Sequence, residues 1–210
     1  MKNRLVIIAN GPVKDEEFHK KILKDADVII CADGGANTTK KLGFTPDYIV
    51  GDLDSIEKNV YDFFDEENKT KIIKDEDQNK TDLELAIKLA ETLNPSEIKI
   101  IGAVGRRIDH TLANILTLDQ ISRDIKAVII DEHNSIELAV GDVQLNGKKD
   151  DIVSVVPLTE ISNLCYNGFR WNVDNIDTKL GWFGISNMLE SSQANISFSK
   201  GKILVIKVRK

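Results

Sequence analysis

The segment Pro46-Asp47-Tyr48-Ile49-Val50-Gly51-Asp52-Leu53-Asp54-Ser55 changes character twice within a few residues. Its apolar run, Tyr48-Ile49-Val50, stops at Gly51, which reads as a buried strand ending at the rim of a sheet. Side chains two apart on an extended chain share a face, so Asp52 and Asp54 project together. In open α/β sheets the carboxyl ends of the strands are where ligands bind. Two adjacent carboxylates repel unless a cation lies between them, and ligation by oxygen alone suits magnesium. Standing alone, an Asp-x-Asp is more often a solvated turn in which Asp54 or Ser55 caps the next helix. The flanking sequence has to decide.

On both sides of this segment, strand and helix patterns alternate. Arg4–Ala9, Asp27–Ala32, Lys71–Lys74, Glu97–Ile101 and Ile125–Ile130 read as strands. Glu16–Lys24, Ala36–Leu42, Ser55–Phe64, Thr81–Asn94 and Thr111–Ile121 carry helical spacing. In the clearest helix, Leu83, Ala86, Ile87, Ala90 and Leu93 recur on one face, Thr81 and Glu84 make a capping box, and Asn94-Pro95 ends it. Such alternation predicts a doubly wound parallel α/β sheet. Past Asp131 the helical pattern is gone. Short apolar runs at Ile136–Val140, Ile152–Pro157, Ala194–Phe198 and Ile203–Val208 are separated by turns such as Asn146-Gly147 and Lys200-Gly201. The expected organisation is an α/β domain over 1–132 and an all-β domain, an antiparallel sandwich or barrel, over 133–210.

Composition narrows the function. A chain of 210 residues with 41% hydrophobic and 30% charged residues reads as globular, and its longest apolar runs fall far short of a membrane span. A net charge of -6 with no long basic run argues against a nucleic-acid partner. Cys31 and Cys165 lack CxxC spacing and read as free thiols in a reducing compartment, hence a cytoplasmic protein. The three histidines and two cysteines form no zinc pattern, and His19, on a charged helix face, is expected to be solvated.

Three further constellations fall beside sheet edges. Asp33-Gly34-Gly35-Ala36-Asn37 follows a strand, and its glycines would let backbone amides approach a phosphate. Asp77-Gln78-Asn79-Lys80-Thr81-Asp82 leads into the strongest helix, placing Asp82 on the side of Asp52 and Asp54. Alone, Asp82 would be decoration of the helix dipole; with the other two it would complete a magnesium cup. Gly105-Arg106-Arg107-Ile108-Asp109-His110-Thr111 offers guanidinium forks for phosphate oxygens and an aspartate to orient a fork or bind substrate, while His110 reads as structural. In the β-rich part, Ser186-Asn187 follows Gly184 close to Trp171 and Trp182.

Taken in order, Asp33-Gly34-Gly35-Ala36-Asn37, Pro46-Asp47, Gly51-Asp52-Leu53-Asp54-Ser55, Asp77-Gln78 with Thr81-Asp82, Arg107-x-Asp109-His110-Thr111-Leu112-Ala113-Asn114 and Gly184-x-Ser186-Asn187 resemble the thiamine pyrophosphokinase family. The resemblance spans nearly the whole chain. It implies transfer of a diphosphate from ATP to the hydroxyl of thiamine, releasing AMP, by a homodimer whose thiamine lies near the subunit interface. By position it implies that Asp52, Asp54 and Asp82 hold magnesium on the triphosphate. Asp33, Gly34, Asn37, Gln78, Thr81 and Arg107 would serve the ATP phosphates, Asp109 would lie at the reacting end of thiamine, and Ser186 and Asn187 would approach its pyrimidine. Asp52, Asp54, Asp82, Arg107 and Asp109 are then the catalytic set. Arg106 stands where the family usually has glycine, and Gly181-Trp182-Phe183-Gly184 replaces smaller residues. Two alternatives remain open: a related diphosphotransferase for another small alcohol, and a non-catalytic sensor of thiamine or nucleotide.

Overall fold

Residues 3–209, apart from 76 and 78, are described by a computed structural model. The chain divides into two compact units, Met1–Glu132 and His133–Lys210.

In the first unit, strands β1 (Arg4–Ile8), β2 (Val28–Ala32), β3 (Tyr48–Gly51), β4 (Lys71–Lys74), β5 (Glu97–Ile101) and β6 (Lys126–Ile130) lie in the order β6-β5-β1-β2-β3-β4. All the pairings are parallel, with Ile8 opposite Cys31 and Ile101, and Ala32 opposite Val50. These strands are apolar without alternation because both sheet faces are covered. Val6, Ile8, Cys31 and Ile49 pack with Ile22 and Leu23 of α1 (Glu16–Lys24), Ala36 of α2 (Gly35–Lys41), and Val60 and Phe64 of α3 (Lys58–Glu67). Helix α4 (Asp82–Thr92) packs against β1, β2 and β3 and buries Leu83, Leu85, Ala86, Ile87 and Ala90. Its capping box is formed as the sequence indicated: the Thr81 backbone amide donates to Glu84 Oε2 at 2.8 Å, and the Glu84 amide donates to Thr81 Oγ1 at 3.2 Å.

The chain steps outward from β1 to β4, then returns to lay β5 on the other side of β1. That reversal leaves a crevice above the carboxyl ends of β1 and β5, the position at which doubly wound sheets bind ligands.

Three expectations need correction. The helix expected over 111–121 begins earlier, as α5 (Ile108–Leu116), followed by a 3-10 turn at Thr117–Gln120. Helix α3 starts at Lys58 with Glu57 as its cap, so neither Asp54 nor Ser55 caps a helix. His19 is fully buried rather than solvated: its Nδ1 lies 2.7 Å from the Asp15 carbonyl oxygen and its ring is edge-on to Phe18.

The second unit is an antiparallel β-rich domain. Strands β7 (Asn134–Ala139), β9 (Ile152–Pro157), β12 (Gly184–Met188) and β14 (Ile203–Val208) run in the order β12-β9-β14-β7. Strands β8 (Val143–Asn146), β10 (Ile161–Asn167), β11 (Ile176–Thr178) and β13 (Gln193–Ser197) form a second sheet, β11-β10-β13-β8. Alternate residues of both, among them Val153, Val155 and Val205 from one and Leu164, Tyr166 and Ile196 from the other, share one core. No described helix is long and apolar enough to cross a membrane.

Candidate active site

The cluster at the sheet edge is built by three neighbouring loops. Strand β2 is followed directly by Asp33, which is buried at 1% exposure and held at φ 42°, a left-handed conformation uncommon for a residue with a side chain. Strand β3 ends in Gly51, whose φ of 148° suits glycine. A methyl group on Gly51 would meet Asp82 Oδ1 at 2.6 Å and Asp33 Cβ at 2.9 Å, so the missing side chain lets these carboxylates close over the strand end. Beyond it, the Asp54 backbone amide donates to Asp52 Oδ1 at 3.2 Å, and the Ser55 hydroxyl donates to Asp54 Oδ1 at 2.9 Å. Asn37 on α2 fixes this loop, donating from Nδ2 to the Ser55 carbonyl at 2.9 Å and accepting the Glu57 amide at 3.0 Å.

Carboxylate oxygens of Asp33, Asp52 and Asp54 lie within 4.8 Å of one another. Asp33 Oδ2 accepts the Ser55 amide at 3.0 Å, whereas Asp33 Oδ1 is buried with no hydrogen-bond partner among the described residues. Burial pushes the Asp33 carboxyl above its ordinary range. Burial, followed by the charges of Asp33 and Asp52, pushes Asp82 up to about 6, although the Asp52 backbone amide opposes this. An unsatisfied buried carboxylate oxygen beside further carboxylates is the donor set that a hard divalent cation satisfies. The trio thus pairs Asp33 with Asp52 and Asp54, and Asp82 presses on it from the start of α4.

A cavity of about 440 Å³ opens beside this cluster. It brings together Asp52, Thr81, Asp82 and Asp109, lines them with Asp77, Lys80, His110 and Asn114 of the same motifs, and adds Asn10 and Asp75. Each addition sits in a segment that leaves the carboxyl end of a parallel strand, or on the helix that follows it. That position is the signal by which they could have been found. Gln78 lies outside the described residues. Gly34 caps α2 and meets Asn10: a methyl group on it would come within 2.5 Å of that side chain.

Asp109, which lines the cavity, and Arg107, which is not among its described lining residues, are exposed and paired, with Arg107 Nε donating to Asp109 Oδ1 at 3.2 Å. The Arg107 hydrogen bond holds Asp109 down at about 2. The helix bearing Asp109 is tied to the loop that leaves β5: the Gly105 amide donates to Thr111 Oγ1 at 3.0 Å, and Asn114 Nδ2 donates to the Ala103 carbonyl at 2.9 Å. In the second unit, Ser186 is exposed with φ 58°, and its amide donates to Ser154 Oγ at 3.0 Å. Asn187 is buried and engaged within the chain: its Oδ1 accepts the amides of Trp171 at 3.1 Å and Met188 at 2.9 Å, and its Nδ2 donates to the Trp171 carbonyl at 2.7 Å.

The thiamin pyrophosphokinase catalytic domain family matches residues 19–130, and the vitamin B1 binding domain of the same enzymes matches residues 142–203. The chain belongs to the thiamin pyrophosphokinase family. The thiamine pyrophosphokinase of Bacillus subtilis is 31% identical over 208 residues, covering 96% of each chain. A crystal structure of thiamine pyrophosphokinase from Bacillus subtilis matches with a TM-score of 0.87 at 27% identity over 99% of both chains. The yeast thiamin pyrophosphokinase shares the fold, with a TM-score of 0.82 at 21% identity over 99% of this chain and 86% of that one.

Proposed function

We propose that this chain transfers the diphosphate of ATP to the hydroxyl of thiamine, yielding thiamine diphosphate and AMP. The observation that carries this reading is the convergence of Asp33, Asp52 and Asp54 within 4.8 Å, with Asp33 Oδ1 buried and unpartnered, in a chain of this family. Asp33, Asp52 and Asp54, with Asp82 beside them, would hold magnesium. Bound there, the metal supplies neutralisation of phosphate charge, which diphosphoryl transfer needs more than covalent chemistry.

The protein's own share is positioning. The hydroxyl oxygen of thiamine forms a bond to the β-phosphorus, the bond from that phosphorus to the α–β bridging oxygen breaks, AMP leaves with the bridging oxygen, and the hydroxyl proton is released to solvent. Arg107 offers a fork to the phosphates, and Thr81, though its oxygen accepts the Glu84 amide, keeps a hydroxyl proton to donate. Asp109, held near 2, is a poor proton store, so its role is to accept a hydrogen bond from the thiamine hydroxyl and aim it. Gly34 and Asn37 support the ATP side by packing and by fixing the Asp52–Ser55 loop. On the thiamine side, Ser186 offers an exposed hydroxyl while Asn187 holds the Trp171 loop.

Homodimer formation belongs to the same reading. Ile108, Leu112 and Leu116 form an exposed stripe along α5, and Trp171, Leu180, Phe183 and Ile185 are exposed in the second unit. Apolar surface of this kind favours a subunit interface that shares the active site. The free thiols Cys31 and Cys165 support a reducing, cytoplasmic setting.

The test is incubation of the purified protein with ATP and magnesium, with and without thiamine, followed by chromatography of nucleotides and thiamine esters. Thiamine-dependent release of AMP with matching thiamine diphosphate is expected. AMP formed only with a different alcohol, or thiamine bound without turnover, would overturn the assignment. Sedimentation showing only monomers under assay conditions would remove the shared interface.

A further inference from the structure

We propose that Lys80 is a phosphate-binding residue of the nucleotide cavity and that Asp77 holds its ammonium group until the triphosphate displaces it. This rests on the reading of the cavity as an ATP site and adds to it a residue that neither the motifs nor the metal cluster assigned.

The cavity is lined by Asp52, Asp75, Asp77, Asp82 and Asp109, and Lys80 is the only lysine or arginine among its described lining residues. A polyanion entering such a site meets repulsion from carboxylates beyond those a metal would cover. Lys80 is the countercharge already in place. Its backbone is anchored at both ends: the Lys80 amide donates to the Asp77 carbonyl at 3.1 Å, and Thr81, next in the chain, is locked in the capping box of α4. The side chain beyond that anchor is a flexible stem with three donors.

The two oxygens of Asp77 have separate tasks. Oδ1 builds the turn, accepting the Asn79 amide at 3.1 Å and Asn79 Nδ2 at 3.0 Å, while Oδ2 takes the Lys80 ammonium. The paired side chains are 37% and 31% exposed, so water screens their attraction and the pair is weak. A phosphate with several anionic oxygens outcompetes a single screened carboxylate, and the exchange leaves the turn intact because Oδ1 is not involved.

The experiment is calorimetric titration of the full-length protein with α,β-methylene-ATP and magnesium, an analogue that cannot release AMP. Lys80→Met is expected to weaken binding about tenfold, the scale of one charge-assisted hydrogen bond, with its melting temperature unchanged. Lys80→Arg should retain most of the affinity. Asp77→Asn, which preserves Oδ1, should bind severalfold more tightly because the competing charge is gone. Inorganic tripolyphosphate should reproduce the Lys80→Met loss. Unchanged affinity in Lys80→Met, while the wild type makes thiamine diphosphate, would overturn this inference and leave the enzymatic reading standing. Equal weakening by Lys80→Met and Asp77→Asn would overturn it too, since that would make the pair purely structural. A wild type that binds no nucleotide would bring down both.

Discussion

Two polar groups, both buried, behave in opposite ways. At the edge of the parallel sheet, Asp33 leaves one oxygen without a partner among the described residues, beside two more carboxylates. In the β-rich unit, Asn187 directs its amide entirely inward, to Trp171 and Met188. Folding normally satisfies buried polar atoms, because an orphan forfeits its hydration. An orphan oxygen set beside two more carboxylates suits a partner from outside the chain, while a fully satisfied group marks architecture. By that contrast the Asp33 cluster has the donor set that a divalent cation could fill, and Asn187 holds a loop.

The largest effect should come from breaking the first member of this comparison. Asp54→Asn removes a charge from the exposed lip of the cluster and no buried contact. Turnover should fall by about 100-fold or more, the scale of losing one electrostatic stabiliser of a transition state, with circular dichroism and melting unchanged. Near-normal AMP release from this variant would sink the metal assignment. Asn187→Ala breaks the second member. It removes three hydrogen bonds made by a buried side chain, and a loss of about 2 kcal/mol in denaturant stability is expected. Ser186→Ala is its control: the residue is exposed, so stability should hold and only the Michaelis constant for thiamine should rise.

A smaller effect, of reversed sign, sharpens the contrast. Asp33→Asn replaces an orphaned anion with an amide that can donate to Asp52 or Asp54. The metal-free protein should gain roughly 1 kcal/mol, the lower end of relieving one unsatisfied buried group, visible as a melting shift of about 2–4 °C. The wild type should be stabilised by added magnesium and the variant should not. A metal-free Asp33→Asn that melts below the wild type would show that this carboxylate is a structural acceptor.

Much of this was legible in the chain, for reasons that can be located. The break at Gly51 and the two-residue spacing of Asp52 and Asp54 are local, and the Thr81–Glu84 capping box declares where α4 begins. Family motifs in fixed order carried the rest of the expected site. The partnership of Asp33 with Asp52 and Asp54 was not readable from local pattern, since it depends on β2 lying beside β3 with Ala32 opposite Val50. Pairing order is a property of the sheet, so Asp33 read as a phosphate-loop residue. The strands β10 and β12 were hidden for a different reason. Asn163 and Ser186 adopt left-handed conformations, at φ 58° each, where the pairing register shifts, and this interrupts the alternation that identifies a strand. His19 misled because the lysines around it suggested a solvated face, whereas its ring follows Phe18 inward.

The smallest predicted effect concerns a buried group that needs no ligand. Cys31 is fully buried on β2 with its sulfur 3.0 Å from Thr39 Oγ1, and burial pushes the thiol up to about 12 from an ordinary 9.0. Its thiol should resist alkylating reagents at neutral pH, leaving half-buried Cys165 as the thiol titrated in the folded protein, with both reacting after denaturation. The sign of the pH dependence follows. A folded-state value above the unfolded one means that the contribution is intact below pH 9 and is lost as pH rises from there toward 12. Cys31→Ala leaves a small void and lowers stability at every pH, so the informative quantity is the slope. Between pH 9 and 10 the wild type should lose stability faster than the variant. Above that range Tyr166, also raised by burial, adds its own ionisation in both proteins. Parallel stability curves for the two proteins from pH 8 to 10 would show that the thiol reaches solvent before it ionises, and that the sheet edge beneath the carboxylate cluster opens more readily than its packing implies.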